Sequence, residues 1–107
     1  MKKIIATLLT AFLFLLPLSA CKEGGTGTTV RLNEVTHSVF YAPLYLAIEQ
    51  GYFEENGITV ELTNGGGADK SMTAVLSGTA DIGLMGPESA IYVYNQGQTG
   101  YPIVFGQ

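Results

Sequence analysis

The chain has 107 residues, one cysteine, one histidine and a formal net charge of −4. A single cysteine rules out an internal disulfide, and one histidine beside one cysteine is too few ligands for a structural zinc site. Five basic residues against nine acidic ones exclude the basic face on which nucleic-acid binding depends.

The chain opens with Lys2 and Lys3, continues with a mainly apolar run over 4–16, and then reads Pro17-Leu18-Ser19-Ala20-Cys21. A charged start, a short apolar middle and a small-residue exit are the three regions of a secretory signal peptide. The run falls short of the about 20 residues a membrane-spanning helix needs, which argues against an uncleaved anchor. "LSAC" over 18–21 resembles the lipobox of bacterial lipoproteins. That resemblance implies a signal peptide over 1–20, lipidation of Cys21 and attachment to the membrane through lipid. The remainder keeps only Lys22, Arg31 and Lys70 as basic residues, so no cationic patch would assist, and stable anchoring takes more than one acyl chain. "KEGGTGTT" over 22–29 is rich in glycine and threonine and has no apolar anchor, so 21–29 reads as the lipidated cysteine and a flexible tether.

Ordered structure is expected from Val30. "VRLNEV" (30–35) reads as a strand. "APLYLAIEQG" reads as a helix, with Pro43 in its first turn, Leu44, Ala47 and Ile48 at helical spacing and Gly51 as its stop. "YFEENG" reads as a turn. "ITVELT" (58–63) alternates at period two and predicts a second strand. Met72, Val75 and Leu76 give a second helical stripe that starts near Asp69 and ends at Gly78. "DIGLM" (81–85) predicts a short buried strand, Pro87-Glu88 a third helix start, and "IVF" (103–105) a fourth strand. The order βαβαβαβ, with connections too long for hairpins, predicts an α/β fold with parallel strands and helices on the faces. Residues 30–107 fall below the usual domain size of about 100–150, and they end on the strand-like "YPIVFGQ", so the reading is of an incomplete lobe.

"NGGGADKS" (64–71) raises the question of phosphate binding. A Walker motif puts glycine immediately before its lysine; Asp69 stands there, and its carboxylate would repel phosphate. The dinucleotide pattern G-x-G-x-x-G starts at Gly65 and Gly67 and fails at Lys70. What remains is generic: glycine backbone can approach a ligand closely, and a helix N-terminus offers unpaired N–H groups. The plainer reading is a turn with Asp69 capping the helix. In a parallel sheet, ligands gather beyond the carboxyl ends of the strands. Those ends lead into "THSVFYA", "NGGGAD" and "MGPES".

"HSVFYAPLYLAIEQGYFEENGITVEL", followed by "GGGADKSMTAVLSGTADIGLMGP", resembles the N-terminal lobe of the ABC-transporter solute-binding proteins of the nitrate/taurine/sulfonate and thiamine-precursor group. This is the SsuA/THI5-like, or NMT1, family. The likeness spans 30–107, and its most specific pieces are "A-x-E-x-GYFEENGI", "GG-x-A" and "LSGTADIG" in that order. It implies a type II periplasmic-binding-protein-like fold with a mostly parallel sheet flanked by helices, of which 30–107 would be an incomplete N-terminal lobe. It also implies an extracytoplasmic receptor that passes a small nitrogen- or sulfur-containing solute, thiamine-pyrimidine-like, a sulfonate or similar, to an ABC permease. No cofactor, metal or nucleic acid is expected.

On this footing the expected ligand residues are Thr36, His37 and Tyr41 after the first strand, Gly65, Gly66 and Gly67 after the second, and Met85, Gly86 and Glu88 after the third. Each has a plainer role beside it. His37 suits local hydrogen bonding as well as ligand contact. Phe40 and Tyr41 suit packing under the first helix, while Tyr41 also suits stacking on a flat ligand. Glu88 complements a helix dipole; as a ligand residue it would accept from an amine or amidine and oppose a sulfonate. Ser71 and Ser89 read as helix-start hydroxyls, Lys70 as solvated, and Tyr92 and Tyr94 as packing and surface residues. Two other classes compete. Pyrimidine-synthesis enzymes related to this fold use a cysteine-rich motif that nothing here matches, and a purely structural surface lipoprotein would leave the glycine-rich loops idle. If lipid holds the protein to the membrane, Cys21→Ala releases the mature chain; retention of an uncleaved C21A chain through high-salt washing contradicts the anchor.

Overall fold

A computed structural model describes residues 27–106. The expected signal peptide, Cys21 and most of the tether lie outside the described residues; the last two tether positions, Thr28 and Thr29, instead open the first strand, because they pair with Ile58 and Thr59. Eight short elements follow one another: strand β1 (Thr28–Glu34), a 3-10 turn (Val39–Tyr41), helices α1 (Ala42–Glu49) and α2 (Tyr52–Glu55), strand β2 (Ile58–Asn64), helix α3 (Ala68–Leu76), strand β3 (Ile82–Leu84) and helix α4 (Glu88–Asn95).

Local chemistry accounts for most of these boundaries. The Ser38 hydroxyl accepts the Phe40 N–H at 3.3 Å and opens the 3-10 turn. Pro43 lies in the first turn of α1, where its missing N–H costs no hydrogen bond. Glu88 opens α4 and places a carboxylate at the positive end of the helix. Two expectations change. "YFEE" forms a four-residue helix before its turn, because no residue between Gly51 and Asn56 breaks it. Asp69 does not cap α3: Gly67 holds the cap position without a side-chain bond, and Asp69 sits inside the first turn.

The three strands form one parallel sheet in the order β2-β1-β3. Thr28 to Glu34 pair in register with Ile58 to Asn64, and Leu32 to Glu34 pair with Ile82 to Leu84. The step from β1 to β2 and the step from β2 to β3 run in opposite directions across the sheet. Right-handed crossovers therefore place α1 and α2 on one face and α3 on the other. This makes β1 the central strand, covered on both sides, and its last three residues, Leu32, Asn33 and Glu34, are all buried. Ser71, Met72, Ala80 and Val93 complete the buried set among the described residues. The parallel α/β class with flanking helices is as the sequence predicts.

The fourth strand does not form. Residues 103–105 make no ladder, and Ile103 and Phe105 are each 80% exposed. β3 offers an edge of only three residues, and Pro102 removes a donor where pairing would begin. The segment lies instead beside an apolar groove of about 440 Å³ between it and Met72, Val75, Leu84 and Ala90. Phe40 also departs from expectation: it stands 87% exposed rather than packed under α1. Among the described residues, no helix is long and apolar enough to cross a membrane.

One ion pair ties the centre of the sheet to the entrance of β3. Arg31 Nε and Nη2 donate to the Asp81 carboxylate at 3.0 and 2.5 Å, and the Arg31 backbone N–H adds a bond at 2.9 Å. In return the Asp81 N–H donates to the Arg31 carbonyl at 2.8 Å. The guanidinium and the backbone N–H of Arg31 hold the Asp81 carboxyl at about 2, below its ordinary 3.8. A depressed carboxyl stabilises the fold above its unfolded value and loses that contribution as pH falls through its folded value. The melting-temperature gap between wild type and Asp81→Asn should be widest near neutral pH and shrink between pH 3.8 and about 2. Circular-dichroism melts across that range test this; a gap that does not change with pH contradicts it.

Candidate functional site

Because all three strands are parallel, the loops that follow them leave the sheet at one edge. β1 is the strand at which the order reverses, so its carboxyl end is the switch point where open parallel sheets hold ligands. Backbone bonds knit the three ends together: the Gly65 N–H donates to the Glu34 carbonyl at 2.8 Å, and the Val35 N–H donates to the Leu84 carbonyl at 3.2 Å. Thr36 and His37 therefore leave from the centre, Gly65, Gly66 and Gly67 from one side, and Met85, Gly86 and Glu88 from the other.

The glycine loop has two physical demands. Gly65 is where β2 comes closest to its neighbours: an added Cβ would collide with the Ser71 hydroxyl and lie 2.5 Å from Asn33 Oδ1. Gly66 has a φ of +73°, a left-handed conformation that glycine adopts without penalty. Its N–H donates to the Asn64 side-chain oxygen at 2.8 Å, which closes the turn, and the side on which a Cβ would stand is open apart from Lys70 Nζ at 3.9 Å. Asp69 Oδ1 lies 2.6 Å from the equivalent point on Gly67. With no side-chain cap on α3, the first N–H groups of that helix lack a side-chain acceptor, and Asp69 and Lys70 follow in its first turn.

On the opposite side, Met85 and Gly86 are half-buried and Glu88 is exposed. The Glu88 carboxylate lies over Gly86, in the volume a Cβ would fill. A larger residue at 86 would displace the carboxylate, so the glycine and the acid act as a unit. Tyr41 stands apart from these contacts. It precedes α1 as its N-cap residue, and its backbone N–H closes the turn on the Ser38 carbonyl at 3.0 Å.

The most ordered polar cluster at this edge centres on a residue the sequence reading passed over. Glu34, the last residue of β1, is 2% exposed. Tyr45 of α1 donates to its Oε2 at 2.5 Å, and His37 Nδ1 lies 3.1 Å from its Oε1. The Ser38 N–H donates to the Tyr45 oxygen at 3.1 Å. The His37 ring stacks on the Tyr45 ring with centroids 4.3 Å apart and planes 14° from parallel. Desolvation first, and then donation to Glu34, raises the Tyr45 phenol above its ordinary value. One residue earlier the strand points to the other face. There Asn33 Nδ2 donates to the Thr63 hydroxyl at 3.0 Å, while Asn33 Oδ1 and the fully buried Ser71 Oγ have no hydrogen-bond partner. Ser71 is thus no surface helix-start hydroxyl. The signal for this cluster was present in "NEV": an Asn-Glu pair at the carboxyl end of a strand that the topology makes central. Among the described residues no three His, Cys, Asp or Glu side chains gather as a metal site.

The sequence profile of a family described as "NMT1/THI5 like" matches residues 39–105. The chain belongs to this family. A relative in Bacillus subtilis (strain 168), named "Putative binding protein YtlA", is 49% identical over 90 residues. The match covers 84% of this chain and 27% of the relative, so the chain spans about a quarter of that protein's length. No solved structure matches the chain. The NMT1/THI5-like match contains Tyr41, the glycine loop and residues 85–88, and begins just after Thr36 and His37.

The loop makes opposite demands at adjacent positions, and mutation should separate them. Gly65→Ala forces Ser71 or Asn33 aside and should cost about 1–3 kcal/mol, the scale of overpacking. Gly66→Asn keeps the left-handed turn, which asparagine tolerates, and should cost less. Denaturant unfolding of both variants checks the order; an equal or reversed ranking contradicts the packing at Gly65.

Proposed function

We propose that this chain is part of an extracytoplasmic solute-binding lipoprotein that serves an ABC importer. In this reading residues 1–20 are a signal peptide, Cys21 carries lipid, 22–27 form a tether, and 28–107 belong to the N-terminal lobe of a two-lobed receptor, since Thr28 and Thr29 already pair within β1. The solute is a small nitrogen- or sulfur-containing organic molecule held between the lobes, and the released partner is the permease. The observation that carries the reading is the gathering of three strand-end loops at the switch point, one of which offers bare glycine backbone and an uncapped helix N-terminus. The name of the Bacillus relative supports binding rather than catalysis.

Within this half-site the roles divide by chemistry. The loop of Gly65, Gly66 and Gly67 lets backbone meet the solute. Glu88 supplies an acceptor from the far side, His37 a ring at the centre, and Thr36, Tyr41, Met85 and Gly86 shape the walls. An acceptor at Glu88 favours an amine, amidine or amino-pyrimidine over a sulfonate.

Thermal-shift screening of the chain against a panel of amines, amino-pyrimidines and sulfonates tests the reading. A bound solute stabilises by mass action, by about 2.7 kcal/mol at a hundred times its Kd. With the solute so found, Gly66→Asn should weaken binding by filling the open side of the turn while the fold survives. Glu88→Gln should weaken a cationic or amino-pyrimidine solute by about 1.5–3 kcal/mol, the scale of a charge-assisted hydrogen bond, and leave an anionic one unchanged or tighter. Isothermal titration reads both; unchanged affinity in both variants, with melting temperatures intact, moves the solute off these loops.

A further inference from the structure

The cluster of Glu34, Tyr45 and His37 specifies more than a packed strand end. The Tyr45 oxygen accepts the Ser38 N–H, so its own proton is left to donate, and it points at Glu34 Oε2 at 2.5 Å. A carboxylate only accepts. The 3.1 Å contact between Glu34 Oε1 and His37 Nδ1 then requires the proton on Nδ1. In the neutral ring that leaves Nε2 bare. The His37 side chain is 70% exposed while Glu34 beneath it is 3% exposed, and the stack on Tyr45 fixes the ring plane.

We infer that Glu34 and Tyr45 are positioning residues that hold His37 in the Nδ1–H tautomer, so that the half-site presents His37 Nε2 as a hydrogen-bond acceptor and selects solutes carrying an N–H donor. The inference rests on the proposed solute site for its ligand half only; the tautomer belongs to the protein alone. The tautomer is informative because a free histidine side chain in water favours the opposite one. With Glu88 as a second acceptor across the switch point, the chemistry fits an amidine or amine and disfavours a sulfonate, whose oxygens only accept.

His37 is the one histidine of the chain, so its two ring-nitrogen signals need no assignment. Long-range ¹H–¹⁵N correlation at about pH 8, where an ordinary imidazole is neutral, reads the tautomer directly. The expected result is a dominant Nδ1–H form. In Glu34→Gln the Tyr45 proton draws the amide oxygen toward itself and turns the amide NH₂ toward His37, so the tautomer should invert to Nε2–H. A purely structural role for Glu34 predicts no inversion. His37→Asn keeps a donor near the Nδ1 position and removes the Nε2 acceptor; it should fold and lose the selectivity.

Benzamidinium and benzenesulfonate serve as matched probes. Benzamidinium should shift the Nε2 signal of wild type, benzenesulfonate should not, and Glu34→Gln should weaken benzamidinium at least about tenfold, the scale of one hydrogen bond. A dominant Nε2–H form in wild type overturns the inference while leaving a solute site at these loops possible. An Nδ1–H form that responds to benzenesulfonate instead overturns the selectivity. An Nδ1–H form silent to both probes overturns the selectivity and removes His37 from the proposed solute site as well.

Discussion

β1 is covered on both faces, and its carboxyl end carries Asn33 and Glu34 into the interior. The rest of the structure follows from that constraint. A buried polar group without a partner costs about 1–3 kcal/mol; each face supplies one, although Asn33 Oδ1 and Ser71 Oγ on the face of α3 remain without. On the face of α1 the partner for Glu34 is Tyr45, whose position in turn fixes Ser38 and His37. On the face of α3 the Asn33 amide reaches Thr63, and the space around its oxygen is tight enough that the residue after β2 must lack a side chain, Gly65. The loops after β1 and β2 are thus placed by the partners of two consecutive residues.

The same constraint shapes the glycine loop of the proposed site. Gly65 removes a side chain for packing, Gly66 turns the chain through a left-handed conformation, and Gly67 leaves α3 uncapped. Together they expose helix N–H groups at the mouth of the loop. Lys70 and Asp69 flank that mouth with opposite charges, so neither sign dominates from the side of α3. In the proposed half-site the sign is set elsewhere, by Glu88 over Gly86 and by the buried Glu34 behind His37. The apolar groove along β3 runs from the sheet edge to the loop after β3, because Met85, Gly86 and Pro87 line it together with Leu84 and the segment at 102–106.

Near-alternation made β1 and β2 legible in the sequence, helical spacing made α1 and α3 legible, a short apolar run bounded by turn residues marked β3, and a Pro-Glu start marked α4. The loops after the strands were legible too, because glycine clusters and a Pro-Glu helix start are local signals. What escaped was non-local. Tyr45 is 11 residues from Glu34, and nothing in "APLYLAIE" separates that tyrosine from an ordinary core residue until α1 is laid on the sheet. Ser71 looked like a helix-start hydroxyl for the same reason: its burial depends on Asn33 and Gly65, not on its neighbours in sequence. The run at 103–105 has the composition of a strand, but whether it pairs depends on the edge it meets, and composition cannot report that.

The account stands on the claim that the three strand-end loops act as one solute half-site. Backbone-resolved ¹H–¹⁵N mapping of the chain, titrated with the solute found by screening, tests it most directly. The amides of Thr36 and His37, of residues 65–70 and of residues 86–89 should shift together along one binding curve. Shifts confined to Met72, Val75, Leu84 and residues 103–105 would place the solute in the groove along β3 and contradict the account.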